Sequence, residues 1–221
     1  MRHDLILKNI AKHIVLENDE ANYFTSLLTY KEIPKKTCLL TEGQACKHLS
    51  YVHSGALRSY CLDKDGKEST IMFAVADWWV TDMYCFLNNK PAMMYIEAIE
   101  DSCIFQLTKE NFDNLFSGIP KFERFFRILM QNAYIREQLR IIENLTLSAE
   151  ERYDRFLLKY PRIVQQVTQK QIASYLGITP EFLSTIRKKK SRGKILIMAH
   201  RTCMMPLNGA SFRNGNYAFR L

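Results

Sequence analysis

Residues 121–145 contain neither Gly nor Pro, and no other stretch limits the fold as strongly. The run reads as one helix of about seven turns, standing between two segments of different character. Ahead of it, residues 31–108 break into short strand-forming runs separated by turn signals. These runs are 37–40 before Glu42-Gly43, 49–52 before Ser54-Gly55, and 56–62 before the turn Asp63-Lys64-Asp65-Gly66. Residues 69–75 are the hairpin partner across that turn, and 95–99 and 102–107 complete the set. Many short strands at close spacing favour a barrel or jelly roll. Residues 1–30 read as helical, with Leu5, Leu7, Ile10, Ile14, Phe24, Leu27 and Leu28 at roughly helical intervals. Thr108-x-x-Asn111 opens a short helix over 111–116, which ends at Ser117-Gly118. The fold class is therefore α+β.

Composition removes several function classes. With 47% hydrophobic and 24% charged residues, 8 Gly and 6 Pro, the chain is neither collagen-like nor wholly disordered. No apolar run approaches the ~18 residues of a membrane span. Arg2, Asp4, Lys8 and Lys12 argue against a signal peptide, so a cytoplasmic protein without a membrane partner is expected. The cysteines at 38, 46, 61, 85, 103 and 203 include no C-x-x-C pair, so they read as reduced thiols acting mostly as small core hydrophobes. His48 and His53 stand five apart and read as ordinary strand histidines rather than metal ligands. No nucleophile–base pairing and no phosphate-binding glycine loop stands out. The expectation is a non-enzyme with no catalytic residue, no metal and no cofactor.

The charge is uneven. Residues 1–149 carry 17 Lys+Arg against 19 Asp+Glu, whereas residues 150–221 carry 14 against 4. A near-neutral body joined to a basic end suggests that the end meets a polyanion. In the long helix, Phe122, Phe125, Leu129, Leu139 and Ile142 form a partial stripe, and Asn132 and Arg136 interrupt it at the same phase. That pattern suits a coiled-coil dimer seam, where polar positions fix register; packing on its own domain is the alternative. Ser148 with Glu151 makes a capping box for a further helix to about Lys159.

Residues 167–188 carry the most information, and they read as a helix-turn-helix. Ala173 is small where two helices would cross, and Gly177 sits where the turn needs positive φ. Ile172, Leu176, Ile178, Leu183 and Ile186 would hold the helices together. Thr179 can cap the second helix, and Pro180 fits its first turn. Glu181, Ser184, Thr185, Arg187 and Lys188 would form its exposed face, followed by the phosphate-seeking run Lys188-Lys189-Lys190-Ser191-Arg192.

Over roughly residues 10–192 the chain resembles the Crp/Fnr family of bacterial transcription regulators, most specifically at 168–188. The stretches 51–58 and 77–107 support the likeness. The resemblance implies a double-stranded β-helix (jelly-roll) sensor domain over 1–118 and a long dimerisation helix over 119–147. It implies a winged-helix-type helix-turn-helix over 148–192, with 193–198 as a possible wing strand and 193–221 as a tail of uncertain structure. It further implies a homodimer on double-stranded DNA, RNA polymerase as a further partner, and an unidentified small-molecule effector. Thr168, Gln169 and Lys170 would lie against phosphate, Thr179 at the start of the recognition helix, and Glu181, Ser184 and Thr185 against bases, with Arg187 and Lys188 on phosphate. Pro180 and Thr185 stand where the family often has arginine, which argues against the family's usual DNA site.

Cyclic-nucleotide-binding members carry Gly-Glu-Leu and, ten residues after the Glu, Arg-Ser or Arg-Thr. Here Thr81-Asp82-Met83 and Ala92-Met93 stand at those places. Without the arginine a buried phosphate lacks its charge partner, so cyclic AMP binding is not expected. Trp78, Trp79, Met83, Tyr84, Met93, Met94 and Tyr95 are expected to fill the region as core. Two rivals remain: a regulator gated by a cyclic nucleotide or another small ligand, with Asp82 on the ribose, and a roll-fold metalloenzyme fused to a DNA-binding end.

Overall fold

The computed structural model describes residues 3–202, excepting the side chains of 192–202. Two helices, α1 (Asp4–Ala11) and α2 (Asn18–Ser26), precede eight strands. The strands are β1 (Thr29–Ile33), β2 (Cys38–Leu40), β3 (His48–Ser54), β4 (Ala56–Leu62), β5 (Glu68–Val75), β6 (Trp78–Val80), β7 (Tyr95–Ala98) and β8 (Ser102–Thr108). A short helix, α3 (Met83–Asn88), lies between β6 and β7. Five helical segments complete the described chain: α4 (Lys109–Gly118), α5 (Lys121–Thr146), α6 (Ala149–Lys159), α7 (Gln169–Leu176) and α8 (Pro180–Thr202), with a single 3-10 turn at Ile163–Gln165.

The strands form two four-stranded antiparallel sheets, ordered β1-β8-β3-β6 and β2-β7-β4-β5. Both faces of the central strands are covered, so β3 and β8 read as nearly continuous buried runs rather than alternating ones. Val52, Leu57, Ala74, Val80, Ile96, Ala98 and Ile104 fill the space between the sheets. On the outer face of the first sheet, Leu49, Tyr51, Phe105 and Leu107 meet Ile6, Ile10, Phe24, Phe112, Phe122 and Phe125 of the surrounding helices. On the outer face of the second, Ala56 and Phe73 meet Tyr153, Phe156, Tyr160 and Ile163. The roll is thus sandwiched between its own N-terminal helices and the C-terminal helices.

Two local devices fix the roll. Gly55, at φ +83°, turns β3 into β4, and a Cβ there would come 2.3 Å from Ser102 Oγ and 2.7 Å from the Asp101 carbonyl, so no other residue fits. Asp77 adopts φ 73° in the turn before β6. Its carboxylate accepts from the Tyr51 hydroxyl at 2.7 Å, from Asn9 Nδ2 at 2.8 Å and from Lys12 Nζ at 2.6 Å, tying α1 to the sheet.

Several expectations are corrected. β1, β6 and α3 were not anticipated: each is only three to six residues long, too short for either pattern to repeat clearly. Of the five described cysteines only Cys85 is buried; Cys38 is exposed and the other three are half-buried. The long-helix stripe is divided. Phe122, Phe125 and Leu129 pack on this chain's own core, while Leu139 and Ile142 are exposed. Arg136 does not interrupt a seam but lies 5.0 Å over the Trp78 ring. The expected wing strand at 193–198 is helical backbone, because α8 runs on to Thr202. The rest of the tail, with Cys203, lies outside the described residues. Among these residues no helix is long and apolar enough to cross a membrane.

Candidate nucleic-acid interface

The α7–α8 pair is assembled from the local signals that its sequence carries. Thr168 Oγ1 accepts from Gln171 N at 3.2 Å, and Gln171 Oε1 accepts from Thr168 N at 2.9 Å, a reciprocal cap on α7. Gly177 closes α7 at φ +66°, and Ile178 N–H reaches back to the Ala173 carbonyl at 3.0 Å. A Cβ on Gly177 would meet nothing within 4 Å, so backbone conformation, not space, selects glycine there. Thr179 Oγ1 accepts from Phe182 N at 3.2 Å and caps α8, with Pro180 as its first residue. Ile172, Ala173, Leu176, Leu183 and Ile186 are buried together.

Nothing singled out for DNA contact is lost to the core. Thr168, Gln169, Lys170, Thr179, Glu181, Thr185 and Lys188 are exposed, and Ser184 and Arg187 are half-buried. The Thr185 hydroxyl donates to the Glu181 carbonyl at 3.1 Å. Phe182, 49% exposed beside Glu181, was not anticipated on this face. Its signal was available, since it falls outside the Leu183/Ile186 spacing. The basic run is not uniform: Lys189 pairs with Glu150 at 2.8 Å and Lys190 with Asp154 at 2.6 Å, both on α6. Such exposed pairs are worth about 0–1 kcal/mol, so a phosphate can displace them.

The back of the pair is held to the roll. Ser174 Oγ accepts from Thr70 N at 2.8 Å and donates to the Glu68 carbonyl at 2.7 Å. Arg140 of α5 donates to the carbonyls of Ile71, of Thr70 at 3.0 Å and of Tyr175 at 3.3 Å, and lies 4.6 Å over the Tyr175 ring. Arg152 of α6 donates to the carbonyls of Leu147 at 3.0 Å and Leu176 at 3.2 Å. These groups wall a cleft of about 450 Å³ that also takes in Ser69, Asn144 and Gly177. Burial pushes the Tyr175 and Tyr160 phenols above their ordinary range, so both stay neutral at physiological pH.

The residues aligned with a nucleotide pocket are placed differently from expectation. Asp82 is buried, and both of its carboxylate oxygens are taken by backbone: Oδ1 accepts from Cys85 N at 3.1 Å and Oδ2 from Met93 N at 2.8 Å. It caps α3 and anchors the next loop, so both of its oxygens serve the backbone of this chain. The Thr81 hydroxyl donates to the His48 carbonyl at 3.0 Å. Ala92 is buried between backbone bonds to Gly43 and Gln44, Met83 is half-buried and Met93 is exposed. The aromatic, Met-rich set does not form one filled core either. Trp79 packs under α5, Trp78 faces Arg136 and Tyr160, Tyr95 stacks on Tyr60 at 5.0 Å, and Tyr84 is exposed. Asp82→Ala would leave two N–H groups without their acceptor, so a loss of about 2–3 kcal/mol is expected. Urea denaturation checks this; a cost near zero would mean that water replaces the carboxylate.

His53 sits edge-on to Phe105 with Nδ1 buried, and burial lowers the pKa of His48. Among the described residues no group of three or more His, Cys, Asp or Glu is placed to hold a metal ion.

Comparison with known proteins agrees with this architecture. Residues 30–118 match the cyclic nucleotide-binding domain family model. The fumarate and nitrate reduction regulatory protein of Vibrio cholerae is 24% identical, with 94% of this chain and 90% of that one covered. Its namesake in Escherichia coli strain K12 is also 24% identical, over 93% and 89%. Among solved structures, the c-di-GMP-responsive global regulator CLP of Xanthomonas campestris superposes with a TM-score of 0.67 at 16% identity, over 80% of this chain and 93% of that one. A transcriptional regulator of the Crp/Fnr family from Eubacterium rectale gives 0.66 at 21%, over 80% and 85%. With the roll, the long helix and the C-terminal helices in one order along nearly the whole chain, this protein is similar over most of its length to transcriptional regulators of the Crp/Fnr type, and its residues 30–118 match the cyclic nucleotide-binding domain.

Proposed function

We propose that the chain is a homodimeric, cytoplasmic regulator that binds double-stranded DNA in a sequence-specific way through α7 and α8. One observation carries this reading: the α7–α8 pair buries its apolar face and leaves every polar residue singled out for DNA exposed or half-buried, on the most basic part of the chain. The pair acts as the helix-turn-helix, with 1–118 as sensor roll and 119–147 as dimerisation helix. The sheet orders support a double-stranded β-helix for the roll. Thr168, Gln169, Lys170, Thr179, Arg187 and Lys188 meet phosphate, and Glu181, Ser184 and Thr185 meet base edges. RNA polymerase is the further partner of a regulator of this kind.

Selection from a random duplex pool tests the proposal. Recovery of a two-fold symmetric motif supports it; a pool that stays random, with and without cell extract, overturns it. Lys188→Ala is expected to weaken binding on all sequences and to lower the salt slope by about 1, the share of the single phosphate that this lysine neutralises. Glu181→Gln is expected to change the preferred bases while leaving non-specific binding intact.

A ligand-gated version is the second reading, favoured by the cleft between the roll and α7. Arg140 and Arg152 wall it, and a small anion there would bear on how the DNA-binding end is seated. Asp82, committed to backbone, gives no support to a cyclic-nucleotide site in the roll. Titration calorimetry with cyclic AMP is therefore expected to show no heat of binding beyond dilution.

A further inference from the structure

We propose that Cys46 and Cys85 form a two-thiol modification site, which a peroxide converts to a disulfide joining the loop before β3 to α3. The two residues are far apart in sequence and adjacent in space. Cys46 backbone N–H donates to Cys85 Sγ at 2.9 Å. With one further N–Cα bond, the Cα of Cys46 lies within about 4.4 Å of that sulfur. That proximity suits a disulfide, in which an S–S bond of ~2.03–2.05 Å puts the partner sulfur only three bonds from that Cα.

The backbones on both sides are pinned. Gly43 N–H donates to the Ala92 carbonyl at 2.8 Å, Ala92 N–H to the Gln44 carbonyl at 2.9 Å, and Asp82 holds the start of α3. With both backbones held, bridging is left to rotation of the two side chains. In the reduced form each thiol has a weak polar neighbour. Cys46 Sγ lies 3.0 Å from Thr81 Oγ1, and Cys85 Sγ lies 3.8 Å from the Gln44 carbonyl.

The roles follow from exposure. Cys46 is half-buried and meets the oxidant first; Cys85 is buried and resolves. Burial pushes the Cys85 thiol up, against the Cys46 backbone N–H that draws it down, so Cys85 keeps its proton until it attacks. Cys46 thiolate displaces hydroxide from hydrogen peroxide and becomes a sulfenic acid; its proton and the hydroxide leave as water. Cys85 sulfur then attacks the sulfenic sulfur. The S–O bond breaks, the Cys85 proton leaves with that oxygen as a second water, and the S–S bond forms. Peroxide is the two-electron oxidant, and both thiols are oxidised.

The test is peptide mapping of the whole purified protein after treatment with hydrogen peroxide, acid quenching and alkylation in denaturant. The expected product is the Cys46 peptide joined to the Cys85 peptide, lighter than their sum by two hydrogens and released by a thiol reductant. Cys85→Ser should leave Cys46 as a sulfenic acid that dimedone traps, and Cys46→Ser should leave Cys85 alkylated. Cys61→Ser should leave the joined product unchanged. The proposal is overturned if, in the unaltered protein, Cys46 and Cys85 both remain alkylated while the exposed Cys38 oxidises, or if Cys46 joins a different cysteine. Mapping of the unaltered protein decides the matter even where a serine variant fails to fold.

Discussion

Phe73→Ala is expected to cost about 3–5 kcal/mol and to loosen the C-terminal helices from the roll. Phe73 is fully buried on the outer face of β5, opposite Arg58 of β4. Its ring meets Phe156 at 5.9 Å, Tyr160 at 5.6 Å and Tyr175 at 5.5 Å, which stand in α6, at its C-terminal end and in α7. Among the described residues of the roll no other aromatic ring meets all three. Removing it empties the middle of the junction, and the bonds from Ser174 and Arg140 to β5 then lose the packing that shields them. Urea unfolding followed by far-UV and aromatic signals should show two separated transitions where the unaltered protein shows one. Cleavage within 160–167 should also quicken. A cost below about 1 kcal/mol, the level of an ordinary surface change, would mean that the helices do not rest on Phe73.

The second large effect is expected on α5. Beyond Leu129 the helix leaves this chain's own core, and Ile135, Leu139 and Ile142 are 43%, 47% and 48% exposed. With Ile128, Asn132 and Thr146 they recur at alternating spacings of four and three, the pattern of a two-stranded seam. The pair Leu139→Asp, Ile142→Asp places four carboxylates in a dimer seam. Burying a leucine or isoleucine fully is worth ~1.5–3 kcal/mol, so the half-burial still to be gained by four side chains suggests a dimer weakened about a thousandfold. Analytical ultracentrifugation at micromolar concentration should show monomer, with helical content and protomer stability nearly unchanged because these side chains face solvent within one chain. DNA affinity should fall with it, as two half-sites held by one molecule become two separate binding events. A double variant that still sediments as a dimer would move the seam elsewhere.

Local signals were legible in proportion to how completely a few neighbouring residues decide them. The caps at Thr108, Ser148 and Thr179, the positive φ of Gly177, and strand β4 over Ala56–Leu62 all appear where the sequence places them. Each depends on residues no more than about four apart, where propensity and hydrogen-bonding chemistry act directly. The candidate DNA face was legible for the same reason, because a helix period sorts polar from apolar positions without reference to the rest of the chain.

What a residue touches across the fold was not legible. Asp82 read as a carboxylate open to a ligand, yet it is an acceptor closed on Cys85 and Met93; only the return of the chain at β7 supplies the second N–H. The cysteines read as core, yet most are half-buried, because period-2 strands with both outer faces partly covered do not announce which face is sealed. The α5 stripe read as one seam, whereas its first half was already occupied by α1, α2 and α4. By itself, then, the sequence determined most of the strands and helices, with their caps and turns, and the basic, polar character of the C-terminal end, all of which short-range stereochemistry and charge dictate. Only the tertiary structure decided which apolar face remains open, which carboxylate is spent on backbone and which two thiols meet, because each depends on segments tens of residues apart being brought together by burial.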